Sequence, residues 1–420
     1  MIETISLRPG ITLRCCRDDR FKQSCLTVQL VRPMAKEEAA MNALLPAVLL
    51  RGTEVHPDLR AITRALDDLY GASASTLVRR IGDFQTVGIY CGFLEDRFAL
   101  PGDRCLEPML ALLEELLFLS PLEDGGFLPD FVESEKRNLI ATVEAELNNK
   151  QAYAMGKLIR AMCDGDPFAI PRLGEVEDIR AITPRRLREH YEHILATSPV
   201  ELFYVGSAEP EKIRALLEPV LRRFPEGHRP YPHRSPLRTA APSDTCETMD
   251  LAQGKLCMGF VTPVDSRHPL FIPMQLLNTV FGGGMTSKLF QNVRERLSLC
   301  YSIGSSYFGS KGLMTVAAGI DLDKDRVCRE EILAQLRAAQ EGQISDTELT
   351  AAREALISAL RASTDSPGAI ESYYSTAAIS GNPMTVEEYA AAVAAVTREQ
   401  TVEAARTLTL HSVFFLKGGE

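Results

Sequence analysis

Two side chains in the second half of the chain have the types and spacing to hold a carbonyl oxygen. Arg294 and Tyr301 stand seven residues apart, behind Gly282, Gly283 and Gly284, in the stretch NTVFGGGMTSKLFQNVRERLSLCYSIGSSYF (residues 278 to 308). A guanidinium offers a fixed fork of donors and a phenol offers one more. A cleft that received both could bind a carbonyl oxygen as charge develops on it. Each glycine would cost about 1 kcal/mol in a helix interior, so the triplet reads as a loop rather than as core. It is not a phosphate loop, which needs G-x-x-x-x-G-K-[ST], because Gly284 is followed by Met-Thr-Ser-Lys. On spacing alone a second reading stands beside the first: a helix C-cap arginine and a half-buried strand tyrosine.

Other groups with chemical potential are weaker. His190 and His193 in REHYEH are three apart, which suits one helical face, but the run lacks a histidine–glutamate–histidine spacing and reads as packing. Asp67 and Asp68 are neighbours on a helix, where i,i+1 side chains diverge, so they read as solvated surface. His228 and His233 fall in a proline-rich stretch, and His56, His268 and His411 stand alone. No Ser-His-Asp or Cys-His set can be chosen from spacing. The ten cysteines (15, 16, 25, 91, 105, 163, 246, 257, 300 and 328) contain no C-x-x-C pair. That argues against a zinc ribbon or a dithiol redox site and for core thiols in a reducing compartment.

The elements that must position these groups follow from apolar periodicity. Residues 11–16 and 25–32 read as strands, the second with Cys25, Thr27, Gln29 and Val31 on one face and Leu26, Val28 and Leu30 on the other. Helices are predicted at 38–51, 59–69, 101–119, 130–149, 184–194 and 210–224, with strands at 75–80, 84–90 and 201–205. Residues 225–242 (PEGHRPYPHRSPLRTAAP) carry five prolines and no apolar period, and read as an exposed linker and hinge. The order then repeats. Strands are expected at 255–260, 301–308, 313–319 and 412–415, and helices at 269–281, 287–297, 324–342, 345–362 and 386–396. In the helix at 287–297, Leu289, Phe290, Val293 and Leu297 are expected to face inward. The pattern predicts α+β architecture: two duplicated domains, 1–224 and 243–420, each an antiparallel-rich sheet with helices packed on one face, joined by the linker at 225–242.

Composition narrows the function classes. Of 420 residues, 45% are hydrophobic and 24% charged, enough for a large core and for two to three domains at roughly 150 residues each. The formal charge of −10 disfavours a general nucleic-acid binder. No run approaches the roughly 18 apolar residues of a membrane span. The opening MIETISLRPGITLRCC has no basic start followed by an apolar run, so no signal peptide is expected and the cytoplasm is the default compartment.

The stretch around Arg294 and Tyr301 resembles the C-terminal half of the pitrilysin/insulinase-like zinc peptidases. Those proteins carry a glycine-rich loop followed by an Arg and a Tyr seven residues apart that bind the substrate backbone. Further similarity lies in LLRGTEVHP after the first long helix, in HYEHILATSPVELFYVGSAEPEKIRALL closing the first half, and in the duplicated layout. The resemblance implies a substrate-binding role for Arg294, Tyr301 and Gly282–Gly284.

The family's H-x-x-E-H helix holds zinc with two imidazoles and activates water with the glutamate. Placed through the shared Leu-x-Gly-Thr end (Leu50 to Thr53), that site falls on residues 43 to 47 here. Ala43 and Ala47 take the histidine positions and Pro46 takes the base. Glu135 matches a second acidic position, and the third ligand position is Thr142, with Glu144 two residues on. The resemblance therefore implies a chain with no metal of its own and no cofactor. It would act as the non-catalytic, substrate-binding subunit of a heteromeric zinc peptidase. A zinc-bearing homologous subunit would be the partner and a peptide or protein the substrate; in isolation the chain could pair with a second copy. The alternative is a non-proteolytic peptide-binding or scaffold protein of the same fold. A bacterial subgroup without the zinc motif, named for association with elongation factor P modification and found beside a zinc-bearing homologue, also resembles this chain.

Overall fold

The computed structural model describes residues 2–419, the side chain of Leu147 excepted. From the N-terminus run β1 (Ile2–Arg8), β2 (Ile11–Arg17), β3 (Gln23–Pro33), α1 (Lys36–Leu49), α2 (Leu59–Asp68), β4 (Ser73–Ile81) and β5 (Phe84–Leu94). Next come α3 (Leu106–Phe118), a small hairpin of β6 (Leu122–Glu123) and β7 (Gly126–Phe127), α4 (Pro129–Ala145) and α5 (Lys150–Met162). The first half closes with α6 (Val176–Arg180), α7 (Pro184–Thr197), β8 (Val200–Gly206) and α8 (Pro210–Arg223). The second half opens with β9 (Asp244–Met249), β10 (Gly254–Val261), α9 (Phe271–Gly282), a π-helical segment at Leu289–Arg296, β11 (Cys300–Phe308) and β12 (Leu313–Ile320). It ends with α10 (Asp325–Gln340), α11 (Asp346–Ala362), α12 (Pro367–Ile379), α13 (Val386–Ala395), α14 (Arg398–Arg406) and β13 (Thr409–Gly418).

The α+β expectation holds, with two principal sheets. The first has the order β1-β2-β8-β3-β5-β4 and the second β11-β12-β10-β13-β9. Each is antiparallel except for one parallel pair, β2 with β8 and β13 with β9.

Two compact units contain these sheets, and they are not contiguous halves of the sequence. The first comprises the chain up to Glu144, Ile170–Arg234 and Thr364–Thr376. The second comprises Ala145–Ala169, Ser235–Ser363 and the chain from Ala377. Each unit thus includes a segment from the other half of the sequence, a feature the boundaries at 224 and 243 do not contain.

In the first unit, alternation along β3 decides what covers each face. Leu26, Val28 and Leu30 join a core with Leu44, Leu45 and Val48 of α1, Leu113 and Leu116 of α3, Leu187 and Ile194 of α7 and Leu217 of α8. The opposite face carries Cys25 with Cys16, Phe203 and Val205, and Ile370 of α12 packs on it. Thr27 and Gln29 share that face, and both bond to Glu371 of α12, at 3.2 Å and 2.9 Å. The second unit repeats the device. Cys257 of β10 with Phe414 and Leu416 of β13 is covered by Ala154 and Leu158 of α5.

Residues 225–242 are not a solvated tether. Arg229 is buried, and donates from Nη1 to Ser198 O at 2.8 Å and from Nη2 to Pro225 O at 2.9 Å. Tyr231 donates to Glu201 at 2.6 Å. Further on, within the second unit, Arg238 N–H donates to Asp166 at 2.9 Å, and Asp166 is ion-paired at 3.0 Å with the fully buried Lys311. Proline removes helix and strand pairing here, but side chains supply the fixing contacts. His228 and His233 are exposed, as expected.

Candidate functional site

The glycine triplet divides into three different situations. Gly282 ends α9 and is buried; a Cβ there would lie 2.7 Å from the backbone nitrogen of Ser305 and 2.6 Å from its hydroxyl. Ser305 in turn donates to Asn278 Oδ1 at 2.8 Å, so Gly282 lets α9 sit directly on β11. Gly283 caps the helix, and a Cβ would meet Thr279 Cα at 2.6 Å. Gly284 alone faces open space. The expectation that the triplet is loop rather than packing thus fails for Gly282, because the cost of glycine in a helix is offset by a close approach no other residue permits.

Beyond the loop, the expected α-helix is a π-helical turn at Leu289–Arg296. Its end shows the wide register directly: Leu297 N–H donates to Asn292 O, five residues back. Leu289 and Val293 are fully buried, but Leu297 is 43% exposed. The extra residue per turn rotates Leu297 out of the stripe that α-spacing predicts. Arg294 lies in this segment. Its guanidinium stacks over Phe290 at 4.6 Å and lies 3.7 Å from Glu295.

Tyr301 is the second residue of β11, an edge strand, and is 59% exposed. Its hydroxyl donates to Asp321 at 2.7 Å, and this bond holds the phenol above its ordinary pKa. Asp321 is itself held low, first by Lys324 at 2.8 Å and then by Tyr301. No hydrogen bond joins Arg294 to Tyr301 among the described residues. The arginine's charge reaches the strand at the adjacent Cys300, whose thiol burial pushes up to about 11 while Arg294 pulls it down. Asp321 was not foreseen: it follows β12, twenty residues from Tyr301, and only sheet pairing brings it there.

On α1, the positions that the resemblance assigns to metal ligands carry no ligating side-chain atoms. Ala43 and Pro46 are buried and Ala47 half-buried, presenting methyl groups and a ring. Thr142 spends its hydroxyl on Asn138 O at 2.9 Å, one turn back in α4. Glu135 is ion-paired with Arg51 at 3.3 Å and accepts from Asn138 at 3.1 Å. Glu144 is exposed, 3.8 Å from Arg180. This donor set does not fit zinc, which requires imidazole, thiolate or carboxylate ligands. No group of three or more His, Cys, Asp or Glu stands together to hold a metal among the described residues.

The neighbouring face of α1 is polar in a way the sequence reading missed. Asn42 is fully buried, accepts from His190 Nε2 at 2.7 Å, and donates to Gln85 at 2.9 Å. Gln85 continues to Arg172 O at 2.7 Å. Burial pushes the His190 imidazole down to about 4, so it is neutral and serves packing. The signal was an asparagine inside an Ala/Leu-rich helix. His56 bonds Glu115 at 2.7 Å, His268 accepts from Leu270 N–H, and His411 bonds Ser412. Asp67 and Asp68 are exposed. All ten cysteines are free and nine are buried, Cys246 being exposed. No helix among the described residues is long and apolar enough to cross a membrane.

Comparison with known proteins completes the description. The profile of the peptidase M16 inactive domain matches residues 181–356. The chain is 28% identical over 418 residues to a probable inactive metalloprotease, YmfF, of Bacillus subtilis, spanning 100% of this chain and 98% of that protein. A solved conserved protein from Enterococcus faecalis superimposes with a TM-score of 0.91 at 26% identity, covering 100% of this chain and 99% of that one. The peptidase M16 inactive domain from Pseudomonas fluorescens gives 0.83 at 18% identity, over 100% and 98% of the two chains, a likeness of fold. A full-length match in sequence and fold, on a chain whose α1 carries Ala43, Pro46 and Ala47, makes this protein similar to the pitrilysin/insulinase-like (M16) peptidases and to their inactive members.

Proposed function

We propose that this chain is the non-catalytic, peptide-binding subunit of a heteromeric zinc peptidase, with the metal held by a homologous partner. The observation that carries the reading is a division within the chain. The helix that would cut has lost every ligand atom, while Tyr301 keeps an exposed phenol and Arg294 a guanidinium 40% exposed. Tyr301 would donate to the carbonyl oxygen of a bound peptide, exchanging Asp321 for that acceptor, and Arg294 would hold the backbone nearby. Gly284, with nothing around it, leaves room for the peptide main chain. The cytoplasm is the proposed setting, in keeping with ten free thiols.

A second reading has its own support. The Tyr301 hydroxyl already has an acceptor in Asp321, and Arg294 already stacks on Phe290 beside Glu295. In a scaffold protein of this fold those contacts would be the residues' whole purpose. The experiment that separates the two is co-purification with a zinc-bearing homologue followed by peptide cleavage. Turnover by the mixed complex that Arg294→Ala abolishes supports the first reading. Unchanged turnover, or failure to form a complex, supports the second.

A further inference from the structure

Where the β1–β2 turn meets the segment after α8, the first unit has a concavity of about 420 Å³. That volume lies within the roughly 300–1,000 Å³ range of small-molecule sites. Its charged lining is two arginines and one glutamate: Arg8 from the end of β1, with Arg229 and Glu226 from the segment.

Arg229 is 6% exposed, and its two hydrogen-bond acceptors are the carbonyls of Ser198 and Pro225, neither carrying formal charge. Its ring neighbour is Phe224, 5.6 Å from the guanidinium carbon. Burial alone accounts for the lowering of its pKa. No carboxylate pairs with it among the described residues. The side chain of Arg8, half-buried, makes no hydrogen bond or ion pair among them either. A guanidinium withdrawn from water without a counter-charge is costly. The fold nevertheless invests in this placement. Gly10 takes φ +73°, and a Cβ there would lie 2.4 Å from Arg229 Cβ. Gly227 comes so close to α7 that a Cβ would lie 2.2 Å from Ala196 O. Two glycines thus press the arginine-bearing segment onto the turn and close the walls of the concavity.

We propose that this concavity binds a small oxyanion, a phosphate or carboxylate borne by a small molecule, between Arg8 and Arg229. Guanidinium forks match both groups in geometry and charge. Exposed Glu226 at the rim opposes the anion and sets its affinity. The site is independent of the peptide-binding reading, since it lies in the first unit and uses neither Arg294 nor Tyr301.

The test is calorimetric titration of the full chain with sodium phosphate and, separately, sodium succinate, at constant ionic strength set by chloride. One-site saturable binding of at least one is expected, with a higher Tm. Arg8→Ala should weaken it about tenfold and Glu226→Gln should tighten it. Neither substitution removes a side-chain hydrogen bond or ion pair of the described residues, so both should fold; Arg229 is avoided because it fixes the segment. Response to phosphate alone assigns a phosphate-bearing ligand, and to succinate alone a carboxylate-bearing one. Absence of saturable heat with both anions, or binding that neither substitution changes, overturns the proposal.

Discussion

Arg79 and Glu371, 292 residues apart, form a two-point ion pair: Nη1 to Oε1 at 3.1 Å and Nη2 to Oε2 at 2.6 Å. Glu371 is fully buried, and accepts from Thr27 and Gln29 as well. This cluster fastens α12 to the first sheet. Removing the carboxylate strands a guanidinium, a hydroxyl and an amide together. Because Arg79 is itself 24% exposed, the loss should fall near the lower end for broken buried pairs. Glu371→Ala is expected to cost about 3 kcal/mol in urea unfolding.

His190 sets a pH dependence. Its folded pKa is lowered to about 4 from 6.5, so above pH 6.5 both states are neutral and its contribution is fully present. Between 6.5 and 4 the unfolded chain takes up a proton that the folded chain refuses, and stability falls, levelling below 4. The shift corresponds to ~3 kcal/mol. His190→Gln, which can still donate to Asn42, should remove that part of the slope. A variant with an unchanged profile between pH 6.5 and 4 would show that the imidazole is not held neutral.

For the proposed peptide-binding pair, Tyr301→Phe is the cleaner substitution, since the exposed ring stays and only the donor goes. In a complex with a zinc-bearing homologue it should lower turnover by roughly 10²–10³ while leaving unfolding nearly unchanged. If turnover drops only in proportion to lost stability, the hydroxyl has no role beyond Asp321.

The glycines make opposite predictions. Gly282→Ala drives a methyl into the Ser305 backbone and should destabilise by about 1–3 kcal/mol. Gly284→Ala meets nothing and should stay within about 0.5 kcal/mol. Any effect of Gly284→Ala on peptide cleavage by a mixed complex would then report on binding and not on folding.

Metal addition gives the simplest check on α1. With Ala43, Pro46, Ala47 and Thr142 at the positions that the resemblance assigns to ligands, stoichiometric zinc should leave the Tm of the isolated chain unchanged, and a chelator likewise. A zinc-dependent rise of several degrees would mean that other ligands assemble a site.

The central strands were readable because β3 alternates a purely apolar face, Leu26, Val28 and Leu30, with a mixed one, and Thr27 and Gln29 were placed on their correct face. What could not be read was their partner. α12 opens with Pro367-Gly368 and turns Glu371 and Ser375 inward, so its buried stripe is polar wherever the sheet it covers is polar. Periodicity of apolar residues has nothing to register there. α5 was missed for a related reason: its fully buried residues, Ala154, Leu158 and Met162, form a stripe one residue wide, flanked by half-buried residues of mixed polarity such as Tyr153 and Lys157. The π-helical turn hid the outward rotation of Leu297 because spacing arguments assume 3.6 residues per turn. That Ala43, Pro46 and Ala47 offer no ligand atom on α1 was legible directly, since it needs only residue identity and a helix.

The exchange of α5 and α12 between the two units bears on how the molecule is made. The first sheet lacks its second cover until residue 376 has left the ribosome, when nearly all of the chain has been synthesised. Until then Thr27, Gln29 and Cys25 face water or a chaperone. The duplicated halves therefore mature together at the end of translation rather than one after the other. A ribosome stalled near the proline-rich segment should hold a nascent first unit whose sheet is open to protease.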